Sequence, residues 1–181
     1  MRRTTRASSL LLAGLAAVSL AAAPALAAVN VKSAPVITFD GASATLSGGN
    51  FSGLGNIPLY GELIVQGVAN YDCHNNGNPE NIVPGQNPVE AAAGTSGIQQ
   101  LPTAKNGRAY VPDLTAWVTA PATPTAAQVG CGGRGAVNNW TVELRSIEAT
   151  SAVFTVTQGE PPVTLFVWDY VKGGSPTGTL R

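Results

Sequence analysis

The sequence NNWTVELRSIEATSAVFTVTQGEPPVTLFVWDYV, residues 138–171, is the densest run of β-branched and aromatic residues in the chain. Apolar and polar residues alternate in it, first from Trp140 and again around Phe154. This period of two residues is typical of strands that bury one face. The segment QGEPP at 158–162 interrupts the run and predicts a turn between two strands. Because such strands need other strands to cover them, we interpret the rest of the chain as their partners.

The N-terminus has the pattern of a secretory signal peptide over residues 1–27. Three arginines precede an apolar run at 10–23, and the small residues of Ala-Leu-Ala at 25–27 suit a cleavage site. An N-terminal membrane anchor is the alternative, but an apolar run about 14 residues long falls short of the roughly 20 that span a bilayer. We therefore expect the protein to be secreted and extracellular.

Removal of residues 1–27 leaves 154 of the 181 residues, with seven basic and ten acidic side chains and a net charge of −3. Nucleic acids and anionic membranes bind clustered lysine and arginine, so this balance argues against both as partners. The length suits one domain. We predict a single domain at 28–174, followed by a flexible tail at 175–181 that begins in a Gly-rich and Ser-rich stretch.

Cys73 and Cys131 are the two cysteines of the chain. In an oxidising compartment the simplest prediction is a disulfide between them. The bridge would enclose 57 residues, for which the chain-entropy model gives about 4 kcal/mol of stabilisation. The alternatives are two free thiols, or a metal-binding pair assisted by His74, the one histidine.

Short apolar segments separated by turn residues predict seven to nine strands. The longest covers residues 59–72, where a change of face near Gly67 predicts a bulge. Residues 75–88 and 121–137 show no pattern and predict long surface loops, which the disulfide would hold at one end of the domain. The fold class that these features favour is all-β, an immunoglobulin-like two-sheet β-sandwich rather than a closed barrel.

Several stretches of turn and strand-edge residues resemble, in their order, those of the uncharacterised small secreted (hypothetical exported) proteins of actinobacteria. They are LSGGNFSGLGN at 46–56, PGQNPV at 84–89, KNG at 105–107, APATPTAAQVGC at 120–131 and FTVTQG at 154–159. The resemblance covers nearly the whole chain after residue 27. It implies no activity, cofactor or active site. The aromatic segment at 165–170 departs from it.

Catalytic patterns are weak. His74 adjoins Cys73, but adjacent strand residues point to opposite faces and the thiol is predicted to be bridged. No Gly-x-Ser-x-Gly motif occurs in the sequence. The carboxylates are spread along the chain, and Glu143 and Glu148 have the pattern of solvent-facing strand residues. We therefore predict no catalytic residues, no cofactor and no enzymatic activity.

Residues 72–80 have a superficial likeness to a calcium-binding loop, with Asp72, His74, Asn76 and Glu80 at alternate positions. Val83 stands where such a loop needs its bidentate glutamate. We predict no metal site, although a weak calcium site formed by loop carbonyls stays open.

The candidate ligand contacts are aromatic, since such side chains can stack on sugar rings or anchor a protein interface. Trp168 and Tyr170 share one face of the last strand with Phe166, so the three are either buried together or form an exposed platform. Burial is the favoured reading, as it is for Trp140. The candidates are Trp117, Trp168 and Tyr170, with Tyr60 and Tyr110 as further aromatic residues.

The leading hypothesis is a secreted, non-catalytic structural or interaction module whose two long loops meet an extracellular protein or a cell-wall partner. The alternative is a module that binds carbohydrate or the cell wall through the candidate tryptophans and Tyr170. A hydrolase or an inhibitor ranks third.

Overall fold

A computed structural model describes residues 28–132 and 139–181. In these ranges the chain forms seven strands longer than two residues and five strands of two residues, all in antiparallel sheets. The strands are β1 (Asn30–Asp40), β2 (Ser43–Ser52), β3 (Leu59–Asn75), β4 (Asn78–Pro84), β5 (Val89–Glu90), β6 (Gly94–Thr95), β7 (Gln99–Gln100), β8 (Thr103–Ala104), β9 (Arg108–Trp117), β10 (Trp140–Gln158), β11 (Val163–Val171) and β12 (Thr179–Leu180).

Sheet A has the order β1-β2-β9-β8. A tight turn joins β1 and β2, with Gly41 in the left-handed region at a φ of 52°. Along β9 the buried residues are Ala109 and Val111, then Leu114 and Ala116, so the phase of burial changes where the register with β2 shifts. Tyr110 and Trp117, on either side of this change, both point away from the core. Sheet A therefore has one apolar face and one solvent face.

Sheet B has the order β12-β11-β10-β3-β4, and the short strands β5, β6 and β7 also pair with β3. Every odd-numbered residue of β3 from Leu59 to Cys73 is buried, so the strand keeps one phase throughout. The bulge predicted near Gly67 was assigned to the wrong strand. In the pairing of β3 with β10 the extra residues lie on β10, and one of these register shifts falls between Ala149 and Ser151, opposite Gly67. A glycine is needed at position 67 because the backbone of β10 lies very close to it: a Cβ there would lie 2.1 Å from the carbonyl oxygen of Glu148.

The two sheets pack face to face and enclose the main core, which confirms the predicted two-sheet β-sandwich. Its largest fully buried side chains include Trp168, Tyr170, Phe51 and Phe154. The Trp168 ring centroid lies 6.1 Å from that of Phe51 and 5.9 Å from that of Phe154. The immunoglobulin-like character stays a prediction.

A second, smaller cluster lies at the end of sheet B where β3 ends and β10 begins. Residues 121–132 cover it, and half-buried Trp140 packs against it. The predicted disulfide is confirmed here: Cys73 and Cys131 are bonded, with their Cα atoms 5.6 Å apart. The buried members of this second cluster are Ala69, Tyr71, Cys73, Ala126, Val129 and Cys131.

The predicted loop at 75–88 is wrong in part, because Asn78–Pro84 forms β4 along the edge of β3. Every residue of β4 is exposed, so neither face of the strand has an apolar pattern that marks it in the sequence. Of the other predicted loop, 121–137, residues 133–137 lie outside the described residues, as does the predicted signal peptide at 1–27.

The segment 175–181, expected to be a flexible tail, is bound to the sandwich. Thr179 and Leu180 form β12 and pair with Asp169 and Trp168 of β11. The peptide NH of Ile37 in β1 donates to the carbonyl of Pro176 at 2.9 Å. Gly-rich and Ser-rich composition predicted disorder, but here it serves the turns that return the chain to the sheet edge. Within residues 28–132 and 139–181 there is no helix long and apolar enough to cross a bilayer.

Candidate ligand-binding face

His74, the one histidine, lies on the outer face of sheet B, opposite Thr141 of β10. Its Nε2 is 3.1 Å from Oε2 of Glu143, while Arg145 pairs with Asp72 at 3.5 Å. Exposed ion pairs of this kind contribute little to stability. Since Cys73 is in the disulfide, it offers no thiolate for His74 to activate. A Cys–His pair at this position would therefore have no nucleophile.

The turn after β3 is shaped by Asn75. Its Oδ1 accepts hydrogen bonds from the peptide NH of Gly77 at 2.8 Å and from Nδ2 of Asn139 at 3.0 Å. Among the described residues, no group of three or more His, Cys, Asp or Glu side chains converges on one point. The geometry at 72–80 thus gives a calcium ion no cluster of carboxylate ligands.

Trp168 and Tyr170 are 1% and 2% exposed, so they cannot form a binding platform. The Trp168 ring packs among three phenylalanines, and the Tyr170 hydroxyl donates to the carbonyl of Pro35 at 3.3 Å. Burial also raises the pKa of the Tyr170 phenol above its ordinary value. Both residues are removed from the candidate ligand contacts, and the favoured reading of burial holds.

Trp117 is the candidate that remains, because its side chain is 61% exposed at the end of β9. Its backbone packs tightly against Gly94 of β6 in sheet B: a Cβ on Gly94 would lie 1.9 Å from the carbonyl oxygen of Trp117. The main chain is therefore fixed while the indole stands in solvent, opposite Ser43 of β2. A large, exposed aromatic surface is what ring stacking requires.

Tyr110 lies on the same face of β9 and is 47% exposed. It lies seven positions before Trp117, which at the rise of a strand places the two Cα atoms roughly 23 Å apart. Tyr110 was not one of the ligand contacts predicted from the sequence. The sequence did contain a sign that Tyr110 is exposed, since it alternates with the apolar residues Ala109 and Val111, which face the core.

The exposed Asp113 and small hydroxyl and amide side chains lie between the two rings. Thr45 and Thr115 are joined across β2 and β9 by a hydrogen bond of 2.9 Å. Asn50, opposite Tyr110, donates from Nδ2 to Oγ of Ser33 at 2.9 Å. We call this surface the Trp117 face, and define it by Ser33, Ser43, Thr45, Asn50, Tyr110, Thr115 and Trp117.

No protein-family model matches this chain, and neither a curated protein nor a solved structure matches it significantly. The resemblance to small secreted proteins of actinobacteria therefore stays a prediction.

Proposed function

We propose that the protein is a secreted, non-catalytic β-sandwich that binds an extracellular or cell-wall polysaccharide through the Trp117 face. The observation that carries this proposal is the exposure of Trp117, 61% of whose surface is in solvent at the end of β9. Exposure of an indole is unfavourable in water, so a partner that covers it gains apolar burial. The Tyr110 ring offers a second stacking surface farther along the same strand.

Polysaccharide suits the polar part of this face. A neutral sugar polymer presents hydroxyl groups, which can both donate and accept hydrogen bonds. The face offers hydroxyl and amide groups, and these side chains can do the same. The net charge of −3 for residues 28–181 favours a neutral or cationic polymer over a polyanion.

The leading sequence hypothesis assigned partner contacts to the loops 75–88 and 121–137. The proposal moves these contacts to the Trp117 face for two reasons. Residues 78–84 are used as strand β4. Residues 121–132 carry Ala126, Val129 and Cys131, which are buried in the second cluster. An extracellular protein that docks on the Trp117 face is the remaining alternative from the interaction-module hypothesis.

The test is depletion from solution by insoluble polymers. The mature protein is mixed with cellulose, chitin or purified cell wall, and the fraction that stays in the supernatant is measured. We expect depletion by one polymer, lost with Trp117→Ala and reduced with Tyr110→Ala. Val171→Ala is the matched control, because Val171 is 63% exposed but belongs to sheet B. Depletion by no polymer, or equal depletion of the Trp117 variant, contradicts the proposal.

A further inference from the structure

A cavity opens at the end of the sandwich where β3 begins and the hairpin of β10 and β11 turns. Its volume is about 460 Å³, within the range of roughly 300–1,000 Å³ that is usual for small-molecule sites. Its lining is mainly apolar. The side chains that matter below are Ile57, Pro58, Tyr60, Ile98, Glu160 and Pro162.

Two walls of the cavity are tied together by Gln158, which is completely buried. Its Nε2 donates to the carbonyl of Ile57 at 3.1 Å and to that of Leu54 at 3.3 Å. These bonds join the segment before β3 to the end of β10, next to the turn that carries Glu160. The cavity is therefore preformed, so a ligand would not have to order these walls.

The third wall is Ile98, whose side chain is 71% exposed. The turn that carries it is fixed to β3, because Oγ of Ser96 accepts from the peptide NH of Leu63 at 3.0 Å and the NH of Ser96 donates to the Leu63 carbonyl at 2.9 Å. Oγ1 of Thr95 accepts from the NH of Gly97 at 2.9 Å. An isoleucine is thus held in solvent beside an apolar cavity, where a ligand would cover it.

The charge that the lining side chains give this cavity is negative. Glu160 supplies a carboxylate, while none of the described residues that line the cavity is Lys, Arg or His. Tyr60 adds an aromatic ring, and such a ring attracts cations over its face. An anionic ligand finds no counter-charge here, whereas a cation finds two favourable groups.

We propose that this cavity binds a small organic cation, with an apolar body between Ile57 and Ile98 and an ammonium group toward Glu160. The site shares no residue with the Trp117 face, so this proposal does not depend on the polysaccharide proposal. Failure of either leaves the other unaffected.

The experiment is a titration of mature protein with methyl-labelled isoleucine, followed by NMR. The chain has six isoleucines, which makes the methyl signals easy to separate. Three probes share one apolar body: 4-phenylbutylamine is cationic, 4-phenylbutanol is neutral and 4-phenylbutyrate is anionic. We expect saturable shifts of the Ile57 and Ile98 methyls, while the methyls of Ile82, exposed on β4, stay unmoved.

The amine should bind about two- to fivefold more tightly than the alcohol, the range of an exposed ion pair. The butyrate should bind least. Glu160→Gln should remove the advantage of the amine while leaving binding of the alcohol unchanged. Ile98→Ser should weaken binding of the amine and of the alcohol to the same extent. Ile82→Ser is the control for an exposed isoleucine outside the cavity.

Absence of saturable shifts at millimolar amine overturns the site. Equal movement of the Ile82 methyls overturns it as well, since it indicates non-specific association. Equal affinity for all three probes overturns the assigned ligand class.

Discussion

The main core and the second cluster are closed in different ways. In the main core, two sheets face each other, and rings such as Trp168 and Phe154 fill the space between them. In the second cluster, sheet B is the one sheet that contributes strands within residues 28–132 and 139–181. The cover is the irregular segment 121–132, fastened by the disulfide between Cys73 and Cys131.

The difference follows from strand length. β3 has 17 residues and β10 has 19, whereas β1 has 11 and both β2 and β9 have 10. The two long strands of sheet B therefore extend past sheet A, and their apolar faces need another cover there. Residues 121–132 provide it with smaller side chains, and Gln86 and Asn87 bond to the carbonyl of Val129 at 2.8 and 3.1 Å. Weak apolar closure is thus supplemented by a covalent bond.

Trp168→Ala tests the main core and should have the largest effect. The indole is fully buried among Phe51, Phe154 and Phe166, so its removal leaves a cavity and should cost about 3–5 kcal/mol. The measurement is the free energy of unfolding from denaturant titration. Trp117→Ala is the control, since loss of an exposed indole should change stability by at most about 0.5 kcal/mol. Similar losses in the two variants would contradict the burial of Trp168.

The double variant Cys73→Ala, Cys131→Ala tests the second cluster and should cost about 2–4 kcal/mol. Because the bridge closes this cluster alone, the loss should be local. Hydrogen exchange is the measurement that separates the regions. Amides around Tyr71 and Val129 should exchange faster, while those around Phe154 keep most of their protection. Uniform acceleration across both regions would mean that the two clusters form one cooperative unit.

Sequence patterns predicted the regions with strict alternation and missed those without it. β10 was predicted because apolar residues recur at every second position over much of its length. The bulge was assigned to the wrong strand because Gly67 has no side chain to show which face it occupies. β4 and β12 were missed because strands exposed on both faces carry no apolar period. The disulfide could be predicted because the chain has two cysteines and an oxidising compartment was expected.

The candidate site was harder to predict for a geometric reason. Alternation placed Trp168 and Tyr170 on one face but could not show that this face is buried; pairing of Trp168 with Phe154 decides it. For Trp117, the apolar partners on the other face of β9 were visible in the sequence. The cavity could not be foreseen, because its walls come from residues 57–60, 98 and 157–162, which are distant along the chain.

Two buried tyrosines, one in each cluster, give the finest comparison. The Tyr170 hydroxyl donates to the carbonyl of Pro35, so Tyr170→Phe should lose about 1 kcal/mol. Within the described part of the chain, the Tyr71 hydroxyl has no hydrogen-bond partner. Tyr71→Phe should therefore be neutral or slightly stabilising, since an unpaired buried hydroxyl is itself unfavourable. Denaturant titration at pH 7 measures both, and an equal loss in the two variants would break the contrast.

Alkaline pH sharpens the same comparison. The pKa of the Tyr170 phenol is raised by burial, whereas in the unfolded chain the phenol ionises near pH 10. Below pH 10 the phenol keeps its proton in both states, so it adds no pH dependence. Above pH 10 the unfolded chain loses this proton first, and the free energy of unfolding falls as the pH rises. Tyr170→Phe should flatten that fall between pH 10 and 11.5. An unchanged slope would mean that the phenol already ionises in the folded protein, and that the β11 end of the main core admits water.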